Sequence, residues 1–221
     1  MIKLIVFDFD GTLGDTRAHI FKTMRDTLQI LGLPMVTDEA IAGTIGIPLG
    51  AGFEQLFPEL NQEEILHCMK TYREIFEKNK SLFVPVRFPG VKRTLAGLKE
   101  RGYILSVASS RLSRSLNELL QALEIAGYIS YVLGADNVEK AKPDPEPVLK
   151  TLREMGFDAR ETLVVGDMPV DILMGARAGA HTCAVTWGNA SRTDLEHAGA
   201  DYIIDKMEDV FRVVESIGLM N

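Results

Sequence analysis

Cysteine is almost absent from this 221-residue chain, and the two it has, Cys68 and Cys183, sit far apart in apolar stretches. That excludes a disulfide framework and offers no zinc-ligand spacing; both thiols read as small core hydrophobes in a reducing compartment. Long apolar runs are missing as well. The N-terminal "MIKLIVFDFDG" is apolar for only a few residues before Asp8. That is too short for a signal peptide or a spanning helix, so a cytoplasmic protein with no membrane partner is expected. The third absence is an excess of positive charge. Lys and Arg number 24 against 31 Asp and Glu, a net charge of −7, which argues against nucleic acid or an anionic membrane as the main partner. An anionic small substrate remains compatible where cations are held locally. The four histidines, His19, His67, His181 and His197, show no ligand spacing, and no repeat or low-complexity tract interrupts the chain. With 46% hydrophobic and 25% charged residues the composition is that of a folded protein, and the length suits one core carrying a smaller inserted domain.

What is present is a regular alternation. Short apolar runs, "KLIVF" (3–7), "YILSVAS" (103–109), "YVLGA" (131–135), "TLVVG" (162–166), "HTCAVT" (181–186) and "DYIID" (201–205), read as strands buried on both faces. Amphipathic segments lie between them. "VKRTLAGLKERG" places Val91, Leu95 and Leu98 on one face, and "LSRSLNELLQALEIAG" repeats Leu112, Leu116, Leu119 and Leu123. "PEPVLKTLREMG" is expected to start with Asp144 as N-cap and Pro145 at the first helical position, and to stop at Gly156. This predicts a Rossmann-like α/β core, a parallel sheet with helices on both faces. From 15 to 85 the rhythm changes to helical patterns without a convincing strand. "RAHIFKTMRDTLQILG" and "EEILHCMKTYREIFEKN" are helices, "TIGIPLGAG" reads as loop, and "FVPVRFPG" suits a hinge or linker. The predicted division is a catalytic core of 1–14 and 86–221 with a small α-helical cap of 15–85.

Ligands of an open parallel sheet bind at the carboxyl ends of its strands, so the residues that follow each strand carry the chemistry. After the first come Asp8 and Asp10; after the second Ser109, Ser110 and Arg111; after the third a loop with Lys140 and Lys142; after the fourth Asp167 and Asp171. Aspartates gathered at one rim repel each other and call for a hard divalent cation, and an oxygen-only set favours magnesium over zinc. A carboxylate can also act as a nucleophile and form an aspartyl-phosphate. Ser109 and the N–H groups after it would cradle an anion at a helix start, and Lys142 would neutralise a phosphoryl group.

"DFDGTLGDT", a serine ending a strand, "KPDPEP" and "GDMPVD", in that order, resemble the haloacid dehalogenase-like phosphatases, and the layout is similar to the phosphoglycolate phosphatase-like branch with a helical cap. The resemblance implies a magnesium-dependent phosphatase acting on a small phosphate monoester, phosphoglycolate being one candidate. Asp8 would be the nucleophile, and Asp10 the acid that protonates the leaving oxygen and later activates water. Mg2+ would be held by the Asp8 side chain, the Asp10 main-chain carbonyl and Asp167, with Asp171 close by. Ser109 and Lys142 would orient the phosphoryl group. Gly11 and Thr12 would begin the turn from which the cap opens and, with Ser109, Ser110 and Lys142, complete the substrate-binding set. Dehalogenases of the superfamily lack the second carboxylic acid, so Asp10 favours phosphate chemistry.

Plainer readings stand beside these. Asp167 and Asp171 can serve the start of the next helix, and Ser109 and Ser110 can cap a helix. Arg111 reads equally as a substrate contact or an exposed helix arginine, Lys140 as solvent-facing, and Trp187 as core or rim packing. Met69, Tyr72 and Phe76 read as cap core. Thr16 stands where many phosphatases have serine and where sugar phosphomutases have threonine, but "TIGIPLGAGF" has no arginine of the mutase cap motif. A sugar phosphomutase, a pyrophosphatase and a non-catalytic binding protein are the alternatives, and a monomer and a homodimer both fit.

Overall fold

The computed structural model describes residues 1–83 and 86–219. The first half runs β1 (Leu4–Phe7), β2 (Gly14–Asp15), α1 (Arg17–Leu31), α2 (Asp38–Ala42), α3 (Leu49–Leu56), α4 (Gln62–Asn79), β3 (Val86–Arg87) and α5 (Val91–Glu100). The second runs β4 (Ile104–Ala108), α6 (Ser113–Ala122), β5 (Tyr131–Leu133), α7 (Glu146–Met155), β6 (Thr162–Gly166), α8 (Pro169–Arg177), β7 (His181–Val185), α9 (Arg192–His197), β8 (Tyr202–Ile204) and α10 (Val210–Leu219). Six strands make one parallel sheet in the order β5-β4-β1-β6-β7-β8. The Rossmann-like α/β core read from the alternation is therefore the fold observed.

Side chains alternate across a strand, and here the alternation divides the core in two. Ile5, Phe7, Leu105, Val107, Leu163 and Val165 face α5, α6 and α10 in one cluster. Leu4, Val6, Ala108 and Val164 face α7 and α8 in the other. Cys183 lies inside the first cluster, and both cysteines are free and buried, as small hydrophobes.

Helices α1–α4 build a third apolar cluster of their own around Phe21, Met24, Leu28, Ile41, Phe53 and Ile65. The chain leaves the sheet through β2 and returns through β3, which pair antiparallel, Gly14 opposite Arg87 and Asp15 opposite Val86. Of the expected linker, Val84 and Pro85, where the domain boundary falls, lie outside the described residues. Two local expectations need correction. The stretch "TIGIPLGAG" is not all loop: α3 begins at Leu49 and contains Gly50 and Gly52. Their role there is close packing. A Cβ on Gly50 would lie 3.2 Å from Met69 Sδ, and one on Gly52 3.2 Å from Thr44 Cβ. Helix α7 starts one residue later than read, with Pro145 as its cap position, and Asp144 accepts from the Glu146 N–H at 2.9 Å.

Candidate active site

Strands β4, β1 and β6 are neighbours in the sheet and end on one edge. Their next residues, Ser109, Asp8 and Asp167, are 5%, 4% and 0% exposed, so charges have been placed at the inner rim rather than in solvent. Asp8 continues β1 by one step, its N–H donating to Val165 O at 2.8 Å. The chain then turns sharply: Phe9 O accepts from the N–H groups of Leu13 and Gly14, and Gly11 takes a φ of +90°. Glycine is required at position 11 both by that φ and because a Cβ there would overlap the Asp167 carboxylate.

Lys142, carried in by the loop between β5 and α7, reaches this rim with its side chain buried. Its Nζ donates to Asp8 Oδ1 at 2.6 Å and to Asp171 Oδ1 at 2.7 Å. Burial alone would pull the ammonium pKa down, but Asp171 and Asp8 outweigh it and hold it above its ordinary value. One lysine thus serves carboxylates on two elements. Asp171 also accepts from the Met168 N–H at 3.1 Å, so it serves the first turn of α8 and the ionic cluster at once.

Asp8, Asp167 and Asp171 bring carboxylate oxygens within 4.8 Å of one another. Asp8 Oδ2 is buried and makes no hydrogen bond among the described residues. Burial pushes the Asp8 carboxyl well above its usual range; Lys142 pulls it back, and Asp171, Asp167 and Asp10 push it up again. Burial and the charge of Asp171 likewise raise Asp167 to about 7, against hydrogen bonds from Asn189 and Thr12. An orphaned carboxylate oxygen inside an all-oxygen donor set with one lysine for three acids fits a hard divalent cation.

A raised native pKa means that the folded chain binds the proton more tightly than the unfolded one. The contribution of Asp167 to stability is full below its ordinary 3.8 and is lost as pH rises through about 7. Chelator-treated protein should therefore melt higher near pH 5 than near pH 8, and Asp167→Asn should flatten that slope. Equal slopes in thermal unfolding of the two proteins would remove Asp167 as the cause.

Asp10 stands apart from this cluster. Both its oxygens accept from Arg111, Nε at 2.9 and 2.7 Å and Nη2 at 2.7 Å, and Thr16 Oγ1 donates to it as well. The reading of Arg111 as an exposed helix residue is thereby corrected. It precedes α6, its side chain is 11% exposed, and its guanidinium lies 5.0 Å over the Phe76 ring. The two serines do not cap α6 either, whose cap position is Leu112 without a side-chain bond. Ser109 Oγ accepts from the Arg111 N–H at 3.2 Å, while Ser110 Oγ donates to Gly46 O at 2.6 Å, tying the β4 loop to the helical unit. Lys140 is exposed, as read.

Thr12 supports a carboxylate: its hydroxyl donates to Asp167 Oδ1 at 3.2 Å. The other Asp167 oxygen accepts from the N–H and Nδ2 of Asn189 at 2.7 and 2.9 Å. Trp187 Nε1 donates to Thr12 O at 3.1 Å, pinning the same turn from the rim. Asn189 and Thr16 were not anticipated as site residues. Asn189 follows β7, and the strand-end rule applied to that strand would have reached it.

The family model for haloacid dehalogenase-like hydrolases matches residues 5–185. A protein of Dickeya dadantii named "Probable phosphatase IndB" is 37% identical, the match covering 95% of this chain and 92% of that one. The pyrophosphatase PpaX of Anoxybacillus flavithermus is 32% identical over 96% and 97% of the two chains. A crystal structure described as a predicted phosphoglycolate phosphatase of Haemophilus somnus 129PT superposes with a TM-score of 0.84 at 25% identity, covering 96% of this chain and 98% of that one. Sheet order, the acidic rim and these similarities agree, and the chain belongs to the haloacid dehalogenase-like hydrolase family.

Proposed function

We propose that the chain is a magnesium-dependent phosphatase that hydrolyses a small phosphate monoester through an aspartyl-phosphate. The observation that carries this reading is the buried meeting of Asp8, Lys142, Asp167 and Asp171 at the carboxyl ends of the central strands, with one Asp8 oxygen left free. An oxygen of Asp8 attacks phosphorus, the P–O bond to the alcohol breaks, and the departing oxygen takes a proton from Asp10, which for this step carries one and is released from the Arg111 guanidinium that holds both its oxygens here. Asp10 then takes a proton from water, whose oxygen attacks the same phosphorus; the acyl-phosphate P–O bond breaks and Asp8 regains its carboxylate. Lys142 holds Asp8 in place and offsets phosphoryl charge; Ser109, Ser110, Gly11 and Thr12 complete the phosphate-binding rim. Mg2+, held by Asp8, Asp167, the Asp10 main-chain carbonyl and Asp171, would supply charge stabilisation between the carboxylates and the phosphoryl oxygens.

Residues 15–85 act as a cap over this rim, with 1–14 and 86–221 as the catalytic core; the separate apolar cluster of α1–α4 and the paired exit and return strands support that division. A cap excludes water and limits substrate size. Two free buried thiols fit a cytoplasmic setting, and among the described residues no helix is long and apolar enough to cross a membrane. The state in solution is a monomer or a homodimer.

Phosphate release from a panel of esters, with pyrophosphate included because one relative is named a pyrophosphatase, tests the reading. Release should vanish with chelator and return with Mg2+. Turnover unchanged by exhaustive chelation would sink the metal-dependent mechanism, and transfer of phosphate between sugar hydroxyls in preference to water would make the chain a mutase.

A further inference from the structure

Between the helical unit and the sheet edge lies a cavity of about 570 Å³, bordered by Asp10 on one side. Its size falls in the range of roughly 300–1,000 Å³ that holds ligands of drug size, far more than a glycolate or a second phosphate occupies. Its wall is apolar where the helical unit forms it: Ile20, Met24, Ile45, Met69, Tyr72 and Phe76. Among the described residues, the charges that line it leave no buried cation for a second anion. Arg111 is spent on Asp10, Arg114 pairs with Glu118 at 89% exposure, and Arg73 is exposed, while Glu77 and Asp136 add negative charge to the same lining. A carboxylate or phosphate on the leaving group would leave water for an apolar wall and meet only the solvent-exposed Arg73 and Arg114, beside the negative Glu77 and Asp136, whereas methionine side chains adapt to an apolar body.

We infer that this cavity takes a bulky, uncharged, mainly apolar leaving group, so that the preferred substrate is the phosphate monoester of such an alcohol and not of a short hydroxy acid or of phosphate itself. The inference rests on the phosphatase reading above. It orients the ester with phosphorus toward Asp8 and the leaving oxygen toward Asp10, which belongs to the cavity wall.

Steady-state kinetics with Mg2+ on 2-phenylethyl phosphate, phosphoglycolate and pyrophosphate test it. Phenylethyl and glycolate are both primary alkoxide leaving groups, so intrinsic reactivity is comparable. The expected kcat/KM for 2-phenylethyl phosphate exceeds the other two by about tenfold or more. Met69→Lys, which adds a cation to the apolar wall, should shrink that ratio by lowering the first value and raising that of phosphoglycolate. Equal or better turnover of phosphoglycolate or pyrophosphate by the unmodified protein overturns the inference and leaves the phosphatase reading intact, and so does a ratio that Met69→Lys does not change. Where none of the three is turned over, the phosphatase reading passes to the wider panel of esters and the cavity is judged by binding. Calorimetric binding to Asp8→Asn then decides the cavity: tighter binding of 2-phenylethyl phosphate than of phosphoglycolate upholds its assigned ligand, and equal or weaker binding overturns it.

Discussion

On the proposed mechanism, Asp8→Asn is expected to lower Mg2+-supported phosphate release by about 10⁴-fold or more, because removing the covalent nucleophile removes the route and not just one contact. The same change should leave the fold in place. An amide keeps the shape and an oxygen that can accept from Lys142, and it removes one of the negative charges that crowd the rim. Stability of the chelated protein, measured by chemical denaturation, should stay within about 1 kcal/mol of the unsubstituted chain, the order of one exchanged hydrogen bond. Residual turnover within about tenfold of the unsubstituted enzyme would mean that water attacks phosphorus directly. Asp8 would then be a metal ligand and not a nucleophile.

Lys142→Ala should have the larger structural effect. The ammonium is buried between Asp8 and Asp171, each within 2.7 Å, and its loss leaves both carboxylates without their shared cation. Breaking a buried ion pair from one side costs about 3–5 kcal/mol. At about 2–4 °C per kcal/mol for a chain of this length, that lowers the melting temperature by roughly 6–20 °C. A divalent cation replaces part of the lost charge, so Mg2+ should raise the melting temperature of Lys142→Ala more than that of the unsubstituted protein. Activity should fall about 10²-fold or more even with metal, since a preorganised cation at the phosphoryl group is lost. Unfolding curves that coincide with and without the substitution would overturn the ionic account of the rim.

Arg111 illustrates what could not be read from the chain. In "SSRLSRS" it is one arginine among several polar residues at a helix start, and local pattern cannot distinguish a solvated guanidinium from a buried one. Its partners, Asp10 and Phe76, come from the turn after β1 and from α4, and only packing of the helical unit against the sheet edge brings both to it. Asn189 and Thr16 are similar cases, short polar residues whose partners lie across the turn or on another strand end. Gly50 and Gly52 misled in the opposite direction. Glycines beside a proline signal a loop, and here they serve a helix that must approach Met69 and Thr44 closely.

By itself the sequence determined the parallel α/β core, the helical character of the segment after the first motif, and the strand ends at which Asp8, Ser109 and Asp167 stand. These follow from apolar period and from residues adjacent in the chain, which local physics decides. Tertiary structure alone decided that Lys142 bridges Asp8 and Asp171, that Asp10 is held by Arg111 apart from the three-carboxylate cluster, and that an apolar cavity adjoins it. Those depend on side chains from distant segments competing for the same buried charge, and that competition is settled only when the sheet and the helices above it close on each other.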